Sequence, residues 1–447
     1  MPISALRQGL AARAAAGQPV RVGLIGAGKF GTMFLAQAVR TPGFQVVAIA
    51  ERERGRAVAA CRAAGWAEAR FAAPDLDAAL AGGGTMLTED AIGLAGAEAL
   101  DVVIEATGVP AAAIRHAETA IAAGHHVVMV SVEADALVGP LLAERARAAG
   151  VVYSLAYGDQ PALVCELVDW ARTTGFAVVA AGKGTKYLPA YHRSTPETVW
   201  GHYGLSPEAA AAGGMNPRMF NSFLDGTKSA IEMAAIANAC GLDPPAEGLA
   251  FPPCGAHELA TLLRPRADGG VLDKAGTVEV VSSLGRDGSP LADDLRWGVY
   301  VVIRAPDPYT RRCFAEYGLA ADESGYAALW RPYHLIGLEL GISVASAALL
   351  GAPTGAPTAF RADVVAVAKR DLAAGEVLDG EGGYTVWGRL APAAEATGAL
   401  PIGLAHGVRL TAPVAEGATV RRADVAIDEA DPAVAARRAM EAAFTPA

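Results

Sequence analysis

The 447-residue chain lacks any Cys-x-x-Cys pair or Cys/His metal spacing, its five cysteines (Cys61, Cys165, Cys240, Cys254, Cys313) lying far apart. That argues against a disulfide framework or zinc ribbon and fits a reducing, cytoplasmic setting. It has no basic run either, with 37 Lys and Arg against 47 Asp and Glu and a formal net charge of -10, so nucleic acid is excluded as an expected partner. A few convergent cations in a cleft can still hold an anionic small molecule, because distant charge is screened. No apolar stretch runs unbroken: the longest, residues 335–353, contains Glu339 and several glycines, which suits a buried or interface helix better than a membrane span. Residues 1–20 lack the apolar core of a secretory signal and read as a leading helix. Low-complexity tracts are absent as well, since the 51 glycines and 27 prolines are scattered. A chain of this length exceeds one hydrophobic core, so two or three domains are expected.

What is present begins with a short apolar run at 20–25, followed at once by Gly26-Ala27-Gly28-Lys29-Phe30-Gly31 and a helical segment. Further strands are expected at 45–50, 101–105 and 127–130, with alanine-rich helices between them, as in a doubly wound parallel sheet. This α/β Rossmann domain is expected over 1–160. An α+β catalytic and dimerisation domain follows over 161–358, with a helix at 163–173, a strand at 177–181 and two strands, 277–284 and 298–304, paired across Gly285-Arg286-Asp287-Gly288. A helix at 332–350 closes it, and the Pro/Gly segment 351–358 reads as a linker. A small, all-β domain is expected over 359–447.

Gly26, Gly28 and Gly31 form GxGxxG between a strand and a helix, the context in which glycines admit a pyrophosphate against a helix N-terminus. Lys29 and Phe30 lie within that turn, and Thr107 and Gly108 end a later strand on the same sheet edge. Glu51 falls twenty residues after Gly31, where an acid accepts the adenosine ribose hydroxyls. Glu51 favours NAD, whereas the neighbouring Arg52 could meet the 2'-phosphate of NADP, which is slightly preferred here. The cofactor is thus expected to be NADP or NAD.

In the second domain, Lys183 and Lys186 follow a strand on glycine-softened backbone, placed to hold a phosphate or carboxylate or to polarise a carbonyl. A solvated loop is the alternative. The segment from Asn216 to Glu232 is the densest polar cluster: Asp225 and Glu232 suit proton transfer or a divalent metal, while Arg218 and Lys228 suit substrate oxygens, with Asn216, Asn221 and Ser222 beside them. The alternative is an N-cap by Asp225 and an ion pair between Lys228 and Glu232. Glu133, at the carboxyl edge of the sheet, and His334, opening an apolar helix, are further substrate-binding candidates.

Taken together, the Val22–Gly31 fingerprint, the Gly182-Lys183-Gly184-Thr185-Lys186 stretch and the Asp225-Gly226-Thr227-Lys228 cluster resemble the homoserine-dehydrogenase-like oxidoreductases typified by deoxyxylulose-phosphate-reductoisomerase-like (DXR-like, DRL) enzymes. Residues 364–376 and 400–404 resemble the SAF domain that ends such chains. The resemblance implies an NAD(P)H-dependent oxidoreductase acting on a small polar carbonyl compound. In the best-known case 1-deoxy-D-xylulose 5-phosphate is rearranged and reduced, in the methylerythritol phosphate route to isoprenoid precursors. True homoserine dehydrogenases carry an Asn-Gly-Thr-Thr-Asn type loop where this chain has Lys183-Gly184-Thr185-Lys186, and the two extra cations favour a more anionic substrate. A sugar-acid or polyol dehydrogenase is the second enzymatic reading, and a dinucleotide-sensing protein without turnover the third. The resemblance also implies a homodimer.

Overall fold

In a computed structural model, which describes residues 3–319 and 324–444, the apolar run after residue 19 forms a buried strand, β1 (Val20–Ile25). The glycine turn then leads into the helix Lys29–Ala38, whose buried residues Gly31, Phe34, Leu35 and Ala38 recur at helical spacing and face the sheet. With β2 (Phe44–Ala50), β3 (Met86–Thr88), β4 (Val102–Glu105), β5 (His126–Met129) and β6 (Tyr153–Leu155), β1 builds a six-stranded sheet in the order β3-β2-β1-β4-β5-β6. Every pairing in it is parallel, the arrangement that right-handed strand-helix-strand crossovers generate. The short edge strands β3 and β6 carry too few residues to show a period, and sequence reading passed over both.

The chain divides into two compact units, Met1–Glu166 with Leu335–Thr358, and Leu167–His334 with Ala359–Ala447. In the first unit, the helix Gly341–Leu350 starts nine residues later than the expected 332–350 helix and lays Val344 and Ala345 into the core that holds Val20, Leu24 and Phe34. Residues 351–358 do more than link. Leu155 N–H donates to the Gly355 carbonyl (2.8 Å), and the buried Thr354 hydroxyl bonds the Leu155 carbonyl (2.8 Å), so this segment completes the polar pairing at the β6 edge.

Among the buried titratable groups of this unit, Asp135 has a strongly displaced pKa. Asp135 is fully enclosed and receives the Tyr153 hydroxyl on one oxygen (2.8 Å), while its other oxygen has no hydrogen-bond partner. Burial pushes its carboxyl up to about 7. Because the folded state binds the proton more tightly than the unfolded chain, stability should fall as pH rises from about 4 to about 7, and level off above. Asp135→Asn should flatten that decline, which urea unfolding midpoints measured across pH 4–8 would show; an unchanged slope would mean that the carboxylate is solvated in the fold.

In the second unit, β7 (Ala177–Thr185), β8 (Thr277–Ser282), β9 (Val299–Arg304) and β10 (Tyr326–Arg331) form a mixed sheet in the order β10-β9-β7-β8. The expected pairing of 277–284 with 298–304 does not occur: β7 lies between them, parallel to β8 and antiparallel to β9. β7 also runs on to Thr185 where a loop was expected from 182. Glycine permits it, since a Cβ at Gly182 would stand 1.9 Å from the Glu279 carbonyl oxygen and one at Gly184 2.0 Å from that of Leu295.

The helix Thr227–Cys240 is buried along nearly its whole length and packs against β8 and against β11 (Ala362–Ala368) and β13 (Val386–Pro392), an antiparallel pair. The Asn238 side chain ties helix to strand, accepting from Arg361 N–H (2.8 Å) and Ala362 N–H (3.0 Å). A second small sheet joins β12 (Val377–Asp379), β14 (His406–Leu410) and β15 (Val425–Ala426) in the order β12-β14-β15. This β-rich region also carries a helix, Pro432–Ala443, whose buried Arg437 pairs with Asp363 of β11. Among the described residues, no helix is long and apolar enough to cross a membrane.

Candidate functional site

The candidate dinucleotide site lies at the carboxyl edge of the parallel sheet. Gly26 adopts φ +96°, and a Cβ there would stand 2.5 Å from the Ala106 carbonyl oxygen, so the fingerprint turn and the loop after β4 lie against each other. Gly31 is equally constrained, 2.4 Å from the Gly26 carbonyl oxygen by the same measure, which fits close helix-strand packing. A Cβ at Gly28 would meet nothing within 4 Å. That free space before a helix N-terminus is what a pyrophosphate requires. Glu51, at the end of β2, accepts the Ala27 N–H (3.0 Å). Arg52 and Lys29 are exposed and Phe30 is half-buried.

Thr107 and Gly108 stand on a polar hub that sequence reading missed. Glu105, the last residue of β4, is fully buried. It accepts the Thr107 hydroxyl (2.7 Å) and the Ser131 hydroxyl, and His116 Nδ1 lies 3.1 Å from it. Ser131 Oγ in turn accepts the Gly108 N–H (2.8 Å). The available signal was an acid closing an otherwise apolar strand directly before Ala106-Thr107-Gly108. Glu133 sits half-buried in the first turn of the helix Val132–Ala148, where an acid suits the helix dipole.

In the second unit Lys183, on β7, forms an ion pair with Glu232 on the helix Thr227–Cys240, both groups being buried. Glu232 therefore turns to the sheet, where an intrahelical partner at Lys228 was the alternative; Lys228 is half-buried on the helix's first turn. Beyond β7, the Lys186 ammonium donates to the His202 carbonyl oxygen and lies 5.4 Å from the Tyr203 ring centre, while Arg296 lies over the same ring at 5.7 Å. Burial and then repulsion from Arg296 lower the Lys186 pKa. Neither cation has a carboxylate ion-pair partner among the described residues.

Asp225 is fully buried, with one oxygen on the Thr227 N–H (2.9 Å) and the other 2.8 Å from the ammonium of Lys369. Lys369 also donates to the carbonyls of Ser194 (2.8 Å) and Gly383 (2.7 Å). The helix itself is capped by Gly226, although the Asp225 contact to Thr227 N–H does the work expected of a cap. His192 completes this corner: its Nδ1 lies 2.7 Å from the Asp225 carbonyl oxygen, so Nδ1 carries the proton and Nε2 accepts the Tyr187 hydroxyl (2.9 Å). Burial lowers the His192 pKa.

The other expected substrate ligands have partners within the unit. Asn216 caps the helix Pro217–Leu224 by accepting from Arg218 N–H (3.0 Å) and Met219 N–H (3.4 Å). The Arg218 guanidinium pairs with Asp379 (2.7 Å). Asn221 bridges the Ser194 and Gly382 carbonyls (3.1 and 3.0 Å), and the Ser222 hydroxyl bonds the Met219 carbonyl (2.9 Å). His334 Nδ1 lies 2.7 Å from the Trp297 carbonyl. The expected apolar helix starts only at Gly341, so His334 does not open one. Among the described residues, no group of three or more His, Cys, Asp or Glu side chains is arranged to hold a metal ion.

Comparison with solved structures finds an oxidoreductase from Agrobacterium radiobacter in complex with NAD+, L-tartaric acid and magnesium, 16% identical over 37% of this chain and 44% of that one, with a TM-score of 0.27. It also finds a myo-inositol dehydrogenase from Corynebacterium glutamicum, 11% identical over 41% of this chain and 49% of that one, at a TM-score of 0.28. A third, myo-inositol dehydrogenase from Lactobacillus casei in complex with NAD(H) and myo-inositol, is 13% identical over 70% and 74%, at a TM-score of 0.35. The chain thus spans about half the length of the first two, 44% and 49%. No curated protein matches it. Among family models, the NAD binding domain of homoserine dehydrogenase matches residues 22–155, and the catalytic domain of oxidoreductase DRL matches residues 158–340. These two matches adjoin along the chain, and both agree with the resemblance to homoserine-dehydrogenase-like, DRL-type oxidoreductases carried by its sequence motifs.

Proposed function

We propose that the protein is an NAD(P)-dependent oxidoreductase acting on a small polar carbonyl compound that carries an anionic group, a phosphate first among the options. The observation that carries the anionic part is the pair Lys186 and Arg296, close enough to repel each other and without carboxylate partners. Two such cations share one need, which a bound anion meets. Lys183, three residues earlier on β7, is the proposed proton donor or electrophile at the carbonyl oxygen, with Glu232 holding its ammonium in place.

Gly26, Gly28, Gly31, Glu51, Thr107 and Gly108 are the residues we assign to the dinucleotide, which supplies or takes the hydride when bound. A carboxylate fixed by Ala27 N–H at the end of β2 supports NAD, because it would repel a 2'-phosphate. The exposed Arg52 beside it is the route by which NADP would be accepted.

Nicotinamide absorbance followed with NADH and NADPH against phosphorylated ketoses, sugar acids and homoserine, with and without magnesium, tests the reading. Lys186→Ala should raise KM for a phosphorylated substrate by at least about tenfold, the scale of one lost charged hydrogen bond, with less effect on a neutral analogue. Equal KM changes for charged and neutral substrates would remove Lys186 from anion recognition.

A further inference from the structure

We propose that Glu105 is a positioning residue for the dinucleotide, acting through Thr107 and Ser131 on the loop beside the glycine fingerprint. The inference rests on the assignment of Thr107 and Gly108 to the cofactor.

A carboxylate buried at the end of a strand is costly unless it is hydrogen-bonded. Glu105 has no exposed surface and spends its acceptors on the Thr107 and Ser131 hydroxyls, with His116 Nδ1 a further neighbour. An ionised carboxylate can only accept, so it fixes the direction of both hydroxyl protons. With its proton on Glu105, Ser131 Oγ presents a lone pair to Gly108 N–H (2.8 Å), and Thr107 Oγ1 likewise meets Val109 N–H (3.3 Å). With Thr107 N–H itself 3.4 Å from the carboxylate, Glu105 thereby orients the backbone N–H groups of Thr107, Gly108 and Val109. Gly108 is exposed, at φ +67°, with open space around a built Cβ. The same loop abuts the fingerprint turn, as the 2.5 Å approach of a Gly26 Cβ to the Ala106 carbonyl shows. The loop is therefore the second wall of the turn at Gly26, and its shape depends on Glu105 being acceptor-only. Glutamine at 105 keeps the volume but makes half of the group a donor, which must reverse at least one hydroxyl.

The test is NADH binding to the full chain, followed by nicotinamide fluorescence, with thermal melts on every variant. Glu105→Gln should weaken NADH by about tenfold or more, and Ser131→Ala by several-fold, on the scale of hydrogen bonds to a charged group. The double variant should bind no worse than Glu105→Gln alone, because the two act in series. Thr107→Val should lose affinity and Thr107→Ser should retain it, a distinction that a purely packing role would not produce. Gly28→Val, which fills the space proposed for the pyrophosphate, is the reference. If Gly28→Val abolishes binding while Glu105→Gln, Ser131→Ala and Thr107→Val bind as the parent does, Glu105 has no positioning role. If Gly28→Val itself binds NADH normally, the cofactor assignment has failed and the proposal goes with it. Should Glu105→Gln not fold, the Ser131 and Thr107 variants decide alone.

Discussion

Lys183→Ala should reduce turnover by about a hundredfold or more, the loss expected for a positioned acid or electrostatic group. The same substitution should destabilise the fold by about 3–5 kcal/mol, because it leaves the Glu232 carboxylate buried without its cation. These effects can be separated. Replacing both partners, as Lys183→Met with Glu232→Leu, removes the uncompensated charge and should recover most of the stability, since a buried ion pair is often no better than apolar packing. Turnover should stay lost in the double variant if Lys183 works at the carbonyl. Steady-state kinetics and urea unfolding on the single and double variants read the two quantities independently. A double variant with parental kcat would reduce the pair to a structural tie between β7 and the helix Thr227–Cys240.

The pair also marks what the sequence could and could not disclose. The fingerprint was legible because its function and its fold need the same local pattern: an apolar strand, three glycines in a short turn, and an acid twenty residues on. Lys183 and Glu232 were legible as chemistry but not as partners, since 49 residues separate them and no periodicity connects a strand to a distant helix. The extension of β7 to Thr185 was hidden for a related reason. Gly182 and Gly184 read locally as loop residues, while in the sheet they make room for the carbonyls of Glu279 and Leu295.

Contacts from the β-rich region were least visible. Asp379 pairs with Arg218 across 161 residues, and Lys369 reaches Asp225 from β11's end. Both groups come from beyond the stretch in which the polar cluster was read, so a cluster that looked open to substrate proves largely satisfied from within the unit. Lys186 is the contrary case: an exposed loop lysine was the alternative, and it is half-buried beside a second cation instead.

Asp225 is where this difference matters most for experiment. Read from sequence, as a proton-transfer candidate, Asp225→Asn should lower turnover about a hundredfold or more and barely change dinucleotide affinity. The geometry points the other way. One carboxylate oxygen accepts the Thr227 N–H, the other is ion-paired with the Lys369 ammonium at 2.8 Å without an aligned hydrogen bond, and the residue has no exposed surface. Asp225→Asn should therefore leave the Lys369 charge buried against only the Ser194 and Gly383 carbonyls, at a cost of about 3–5 kcal/mol. Lys369→Met in the Asp225→Asn background should restore part of the loss, because it removes the stranded cation. Turnover per folded molecule, measured well below the melting temperature, should remain within a few-fold of the parent. Melting curves and single-temperature kinetics on the same preparations distinguish the outcomes: an unchanged melt with a hundredfold drop in kcat would return Asp225 to the chemistry, and would require its pairing with Lys369 to open when substrate binds.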